Sequence, residues 1–214
     1  MTAPARHGRV EQYLHERLEK GPVHFTLVDP DKSPGTKAAR IARGAVDLGS
    51  DVILLGGSTG ISRDVMAAAA AAVKSEVEVP VVIFPEGPDS LTSEADAVLF
   101  MSLLNSRNLD LVIRTHARAA PVVRRMGLEA IPLGYLVIAP GMRVGEVGQV
   151  DPVAREDREG ATGYALAAEL LGMRFVYLEA GSGAPAPVPP PMVRSVRSAV
   201  SIPIVVGGGI RSGT

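Results

Sequence analysis

Short runs of β-branched and aliphatic residues alternate along the chain with longer amphipathic stretches, the pattern of βαβ units around a parallel sheet. The runs predict strands at 24–28, 52–55, 81–84, 97–101, 133–138, 175–178 and 204–206. Most are almost wholly apolar, as strands covered on both faces should be. Helical periodicity predicts helices near 9–20, 33–49, 62–76, 108–126, 157–171 and 189–200, the first of them ahead of the first strand. Seven strands running in one direction predict a TIM-like (β/α)8 barrel that is one strand short, built as a single domain over 1–214.

Two intervals break the alternation. Between the third and fourth strands only Pro85 to Asp96 is available, and Pro85, Gly87 and Pro88 use up its start, so no full helix fits. One flank of the barrel should be uncovered there. The segment from Ala139 to Asp157 is long, rich in glycine and proline and without strong periodicity. Loops of that length at a strand's C-terminal end are usually functional. The stretch GSGAPAPVPPP at 181–191 reads as a stiff strand-to-helix loop.

Composition narrows the chemistry. The chain has 214 residues, with 22 Lys+Arg against 23 Asp+Glu and 46% hydrophobic residues. That balance excludes a strongly basic nucleic-acid binder and an acidic disordered chain. The absence of cysteine excludes disulfide scaffolds, thiol catalysis and Cys-ligated metals. With no apolar stretch of signal or membrane-span length, the expectation is a soluble, cytoplasmic protein.

Four glycine- or acid-bearing segments stand at predicted strand ends: VDPDK (28–32), LGGSTG (55–60), YLEAGSGA (177–184) and VGGGIRS (206–212). In a barrel these ends converge on the face that carries chemistry. Gly207, Gly208 and Gly209 let backbone amides approach a phosphate closely, where a turn needed only for packing would use fewer glycines. The chain has neither a Walker loop nor GxGxxG after its first strand. Asp29, nearest its strand end, is a candidate Mg²⁺ ligand, whereas Asp31 reads as a helix cap. Ser58 and Thr59 are equally readable as metal-shell hydroxyls or as N-caps. Glu179 and Tyr177, two residues apart, share one strand face, where the carboxylate could orient or deprotonate a hydroxylated substrate, or else pair with an arginine. The histidines show no ligand spacing: His7, His15 and His116 read as surface residues, and His24 as a strand-start residue at the opposite mouth.

HFTLVDPDK, ILLGGSTGI, ADAVLFMSLLNSRN, YLVIAPG, YLEAGSGA and IPIVVGGGIRS, in that order, resemble the geranylgeranylglyceryl phosphate synthase family of prenyltransferases, which includes the bacterial heptaprenylglyceryl phosphate synthases. The likeness runs from about residue 24 to 212. It implies a Mg²⁺-dependent transfer in which the free primary hydroxyl of sn-glycerol 1-phosphate attacks C1 of geranylgeranyl diphosphate, releasing diphosphate. It also implies a barrel without the third helix, in agreement with the gap read from the prolines. By the resemblance Asp29 and Ser58 hold the metal; Tyr177, Leu178, Glu179, Gly181 and Gly183 bind glycerol phosphate with the Gly207 to Gly209 loop, and Lys32 binds substrate. YLEAGSG in place of the bacterial relatives' YLEYSG favours the archaeal-type lipid enzyme. A full member continues into a further strand and helix, so a C-terminal tail beyond Thr214 is expected. The uncovered flank and the resemblance together favour a homo-oligomer, the lipid product suggests a peripheral membrane contact, and the balanced charge predicts no nucleic-acid partner. A heptaprenyl enzyme with a longer diphosphate, a phosphosugar isomerase or lyase barrel, and a non-catalytic binding protein are the alternatives. Phe84, Leu99 and Leu104 are candidate walls of a prenyl groove at the uncovered flank.

Overall fold

The computed structural model describes residues 8–57 and 60–211. Among them run α1 (Arg9–Leu18), β1 (Phe25–Val28), α2 (Thr36–Asp47), β2 (Val52–Gly56), α3 (Arg63–Lys74), β3 (Val81–Phe84), β4 (Ala97–Leu103), α4 (Thr115–Met126), β5 (Glu129–Val137), α5 (Met142–Val147), α6 (Arg158–Leu170), β6 (Phe175–Glu179), α7 (Pro190–Ala199) and β7 (Ile204–Gly207). Strand order in the sheet follows chain order, and the described pairings are parallel. This is the topology of a TIM-like α/β barrel, and the interval between β3 and β4 holds only a single 3-10 turn, Pro88–Ser90. The helix expected to be missing is missing.

The chain divides into two compact units, one of residues 1–99 with 118–131, the other of 100–117 with 132–214. In the first, β2 is buried along its whole length, so its sequence VILLG needs no polar alternation. The carboxylate of Glu129, the first residue of β5, accepts the amides of Val10 and Glu11, both at 2.9 Å, and so satisfies two orphan donors at the start of α1. A side chain on Gly8 would overlap that carboxylate. Asp51, just before β2, accepts from the Arg17 guanidinium and, at 2.9 Å, from the His24 amide. Asp96, just before β4, accepts the Val81 amide at 2.9 Å and the Lys74 ammonium at 2.8 Å. His24, expected to open the first strand, stands one residue before β1, and its Nδ1 lies 2.8 Å from the Ser50 hydroxyl.

In the second unit, Asp157 caps the start of α6: its side chain accepts the Gly160 amide at 2.8 Å, a bond typical of helix starts. Its buried Ala161, Ala165 and Ala168 lie on one helical stripe. Ala161 and Ala165 join Met192 and Val196 of α7 and the Val176 and Leu178 side chains of β6 in one apolar cluster. Small residues on α6 leave room for that packing.

Several boundaries differ from the sequence reading. β5 begins four residues before the expected Leu133, because Pro132 needs no amide partner there and its carbonyl still accepts from Arg174 at 2.9 Å. The expected helix over 108–126 opens as a π-helical turn, Asp110–Arg114, before α4. The loop after β5 contains α5, too short to show a period. His116 is not a surface residue: it is half-buried, its ring meets Phe100 edge-on at 4.8 Å, and Nε2 bonds to the Met101 carbonyl oxygen. Burial lowers its pKa and keeps the ring neutral, with Nδ1 buried and without a hydrogen-bond partner. His15 is half-exposed at 3.9 Å from Glu11, and His7 lies outside the described residues.

Candidate functional site

β6 presents Tyr177 and Glu179 on one face and Leu178 on the other, as strand alternation requires. The Leu178 side chain is fully buried in the apolar cluster with α6 and α7 residues, which leaves its backbone as the part to face a substrate. Glu179 is buried, 6% exposed. Its Oε1 accepts the Gly181 amide at 2.6 Å and its Oε2 accepts the Tyr135 hydroxyl at 3.1 Å. The Tyr177 hydroxyl also bonds to it. No arginine pairs with Glu179 among the described residues, so the ion-pair alternative falls.

Tyr135 and Tyr177 are register partners on β5 and β6, and their rings meet edge-on at 4.8 Å. Burial first, and the Glu179 carboxylate second, push both phenols well above the ordinary tyrosine value, so both remain neutral donors. The sequence reading missed Tyr135. Its signal was a phenol inside the otherwise apolar LGYLVI, in a chain with only four tyrosines.

Directly beside this carboxylate, β7 ends at Gly207 and the chain turns through Gly208 and Gly209 with φ of +79° and +70°. Glycine is required here on two counts. The left-handed backbone disfavours a side chain, and a Cβ on Gly208 would fall on Glu179 Oε1 and the Gly181 backbone. A Cβ on Gly207 would overlap the Tyr177 ring. The structure therefore brings Tyr177, Glu179, Gly181 and Gly207 to Gly209 into one cluster. Gly183, also at positive φ, lies two residues further along the same β6 loop.

Asp29, in the first unit, directly follows β1. Its Oδ1 accepts the amides of Asp31 at 3.1 Å and Lys32 at 3.4 Å, and its Oδ2 accepts the Lys32 ammonium at 2.7 Å. Lys32 is thus brought to Asp29. Asp31 is not a helix cap: it is exposed, and α2 starts at Thr36 after Gly35 without a side-chain cap. The candidate ligand Ser58 and its neighbour Thr59 lie outside the described residues. No group of three or more His, Asp or Glu able to hold a metal occurs among the described residues. Oxygen donors at Asp29 nonetheless suit Mg²⁺, which commonly takes one or two protein carboxylates and fills its shell with water and substrate phosphate.

Of the proposed groove residues, Leu99 is buried at 4% exposure and Leu104 packs on the apolar cluster of its unit, so neither is a free wall. Phe84 is half-buried at the end of β3. No described helix is long and apolar enough to cross a membrane.

The PcrB family model matches residues 12–214. Geranylgeranylglyceryl phosphate synthase of Pyrococcus horikoshii is 47% identical over 208 residues, spanning 97% of this chain and 82% of that protein. A crystal structure of (S)-3-O-geranylgeranylglyceryl phosphate synthase from Thermoplasma acidophilum, in complex with its substrate sn-glycerol-1-phosphate, superposes with a TM-score of 0.90 at 44% identity, covering 95% of this chain and 82% of that one. Tryptophan synthase of Mycobacterium tuberculosis, at 16% identity and a TM-score of 0.56, covers 96% of this chain and 82% of that one and shares the fold alone.

Proposed function

The chain belongs to the PcrB family and is a prenyltransferase, and from that premise we propose that it joins sn-glycerol 1-phosphate to geranylgeranyl diphosphate, forming an ether and releasing diphosphate. The observation that carries the reading is the buried Glu179 carboxylate, held by one amide and two neutral phenols beside glycines at positive φ. A carboxylate there accepts the hydroxyls of a glycerol unit, and the Gly207 to Gly209 amides receive its phosphate. Tyr135 and Tyr177 fix the carboxylate's orientation, and Gly181 fixes its height. The attacking primary hydroxyl needs alignment more than a strong base, since an allylic C1 accommodates developing positive charge. Held on Glu179, that hydroxyl passes its proton to the Glu179 carboxylate as the C–O bond forms and the bond from C1 to diphosphate breaks, the diphosphate leaving with the electron pair.

Asp29, with Ser58 and the substrate's own phosphates, would hold Mg²⁺, which supplies charge compensation to the departing diphosphate. Lys32, already on Asp29, adds a second cation at that strand end. As parts of the same proposal, the enzyme works in the cytoplasm as a homo-oligomer and meets membranes peripherally, where its product dissolves.

The test is incubation with sn-glycerol 1-phosphate, radiolabelled geranylgeranyl diphosphate and Mg²⁺, followed by dephosphorylation and organic extraction. Label in the product ether is expected. An Asp29→Asn variant should retain glycerol phosphate binding and lose turnover; near wild-type turnover at saturating Mg²⁺ would reduce Asp29 to a turn former.

A further inference from the structure

Arg155, in the long loop between α5 and α6, spends its guanidinium on two carbonyls. Nη2 donates to Pro187 O at 2.7 Å and Nη1 to Ala139 O at 3.3 Å. It makes no ion pair with any described carboxylate, unlike Arg9, Arg17, Arg43 and Arg107. Its two acceptors belong to different parts of the candidate site.

Pro187 belongs to the wall behind the glycine turn. A Cβ on Gly209 would lie 2.6 Å from Ala186 C and O and 2.8 Å from Pro187 N, so the Ala186 to Pro187 peptide stands directly against the Gly209 backbone. Ala139 belongs to the other side. Its neighbour Ile138 donates its amide to Glu179 O at 2.8 Å, and Gly141 donates to Ala180 O at 3.1 Å, which fixes this segment to the strand that carries the carboxylate. A planar guanidinium can span two such acceptors at once, whereas an ammonium is a point donor.

We propose that Arg155 is a positioning residue for the phosphate end of the substrate: it ties the wall behind Gly209 to the segment beside Glu179, and so sets the spacing between the amides that meet phosphate and the carboxylate that meets glycerol. Its unpaired positive charge adds favourable potential for a phosphate dianion. The inference rests on the reading of Gly207 to Gly209 as the phosphate turn.

The experiment compares wild type, Arg155→Ala and Arg155→Lys in steady-state kinetics, varying each substrate at saturation of the other, with inorganic phosphate binding measured by calorimetry. For Arg155→Ala the KM for sn-glycerol 1-phosphate should rise about tenfold, or about 1.4 kcal/mol, with phosphate binding weakened in parallel. The KM for the prenyl diphosphate should stay within about twofold, since uniform loss of binding for one substrate leaves the other untouched. Arg155→Lys should fall between, and it carries the test should the alanine variant not fold. An unchanged KM for glycerol phosphate, or an equal rise for both substrates, overturns the inference and leaves the reading of the turn intact. Wild type that binds neither glycerol phosphate nor inorganic phosphate overturns that reading, and the inference with it.

Discussion

Glu129 and Glu179 are both carboxylates at strand termini that accept backbone amides, one at a start and one at an end, and their surroundings differ. Glu129 opens β5 and meets two amides of α1, which stand 118 and 119 residues away in the chain. Its neighbours at strand starts, Asp51 and Asp96, are met by amides and by cationic side chains. Every donor there is a permanent part of the fold, and nothing in the arrangement calls for a ligand. Glu179 closes β6, is buried, and is met by one amide and two phenols, with no cation paired to it among the described residues. Around it stand backbone conformations that only glycine adopts easily. The carboxylates at strand starts tie elements of the fold together, while the one at the end of β6 stands among glycines, in keeping with a barrel's division between its two faces.

The largest effect should come from Glu179→Gln. The amide keeps one acceptor, but it presents its own donor to the Gly181 amide or to a phenol, and the glycerol hydroxyls lose a charge-assisted bond. Turnover should fall about a hundredfold, the scale of a misplaced reacting group, with little change in the urea midpoint. Retained turnover and a lowered midpoint would make Glu179 a second Glu129. Gly208→Ala should affect both properties. A side chain at φ +79° is strained and falls on Glu179, so a loss of about 1–3 kcal/mol of stability is expected, together with weakened glycerol phosphate binding by calorimetry.

Glu129→Ala sharpens the contrast from the other side. Two helix amides lose their partner, at a cost of about 1 kcal/mol, as for a lost N-cap. Equilibrium unfolding should show that loss, while turnover per folded molecule stays at the wild-type level. A selective fall in turnover would mean that strand starts in this protein are not merely structural.

How far each region was readable follows from the same contrast. The strands were legible because doubly covered parallel strands are apolar runs, and β3 was located to the residue. Glu179 stood out because it shares a face with Tyr177 at a predicted strand end, and the turn at Gly207 because three glycines in sequence exceed what packing asks. Tyr135 was not, since its meaning depends on a partner 44 residues away. Arg155 was not, since its acceptors are carbonyls that carry no side-chain signal. Leu178 entered only through the resemblance, and strand alternation turns its side chain away from Tyr177 and Glu179. α5 was hidden by its length, six residues, which is under two turns. Local pattern thus reveals elements and isolated anomalies, and long-range hydrogen bonds to backbone escape it.

The smallest effect is also the most specific to the strand-end site. Burial and the Glu179 carboxylate raise Tyr135 and Tyr177 above their ordinary value of 10.0, so as pH rises the unfolded chain releases those protons first. The stability that the protonated phenols contribute is therefore full below pH 10 and is lost above it, up through the folded-state values. At pH 10.5 each tyrosine still protonated in the fold should have cost the native state about 0.8 kcal/mol relative to neutral pH. Tyr177→Phe removes one such group, so its urea midpoint should fall less between pH 8 and 10.5 than that of wild type, whatever its stability at pH 8. Tyr135→Phe should behave alike. Glu129→Ala, which touches neither phenol, should keep the wild-type alkaline slope. If the phenylalanine variants also kept it, the phenols would be titrating in the folded protein near their ordinary value, and the picture of two neutral donors locking Glu179 would fail.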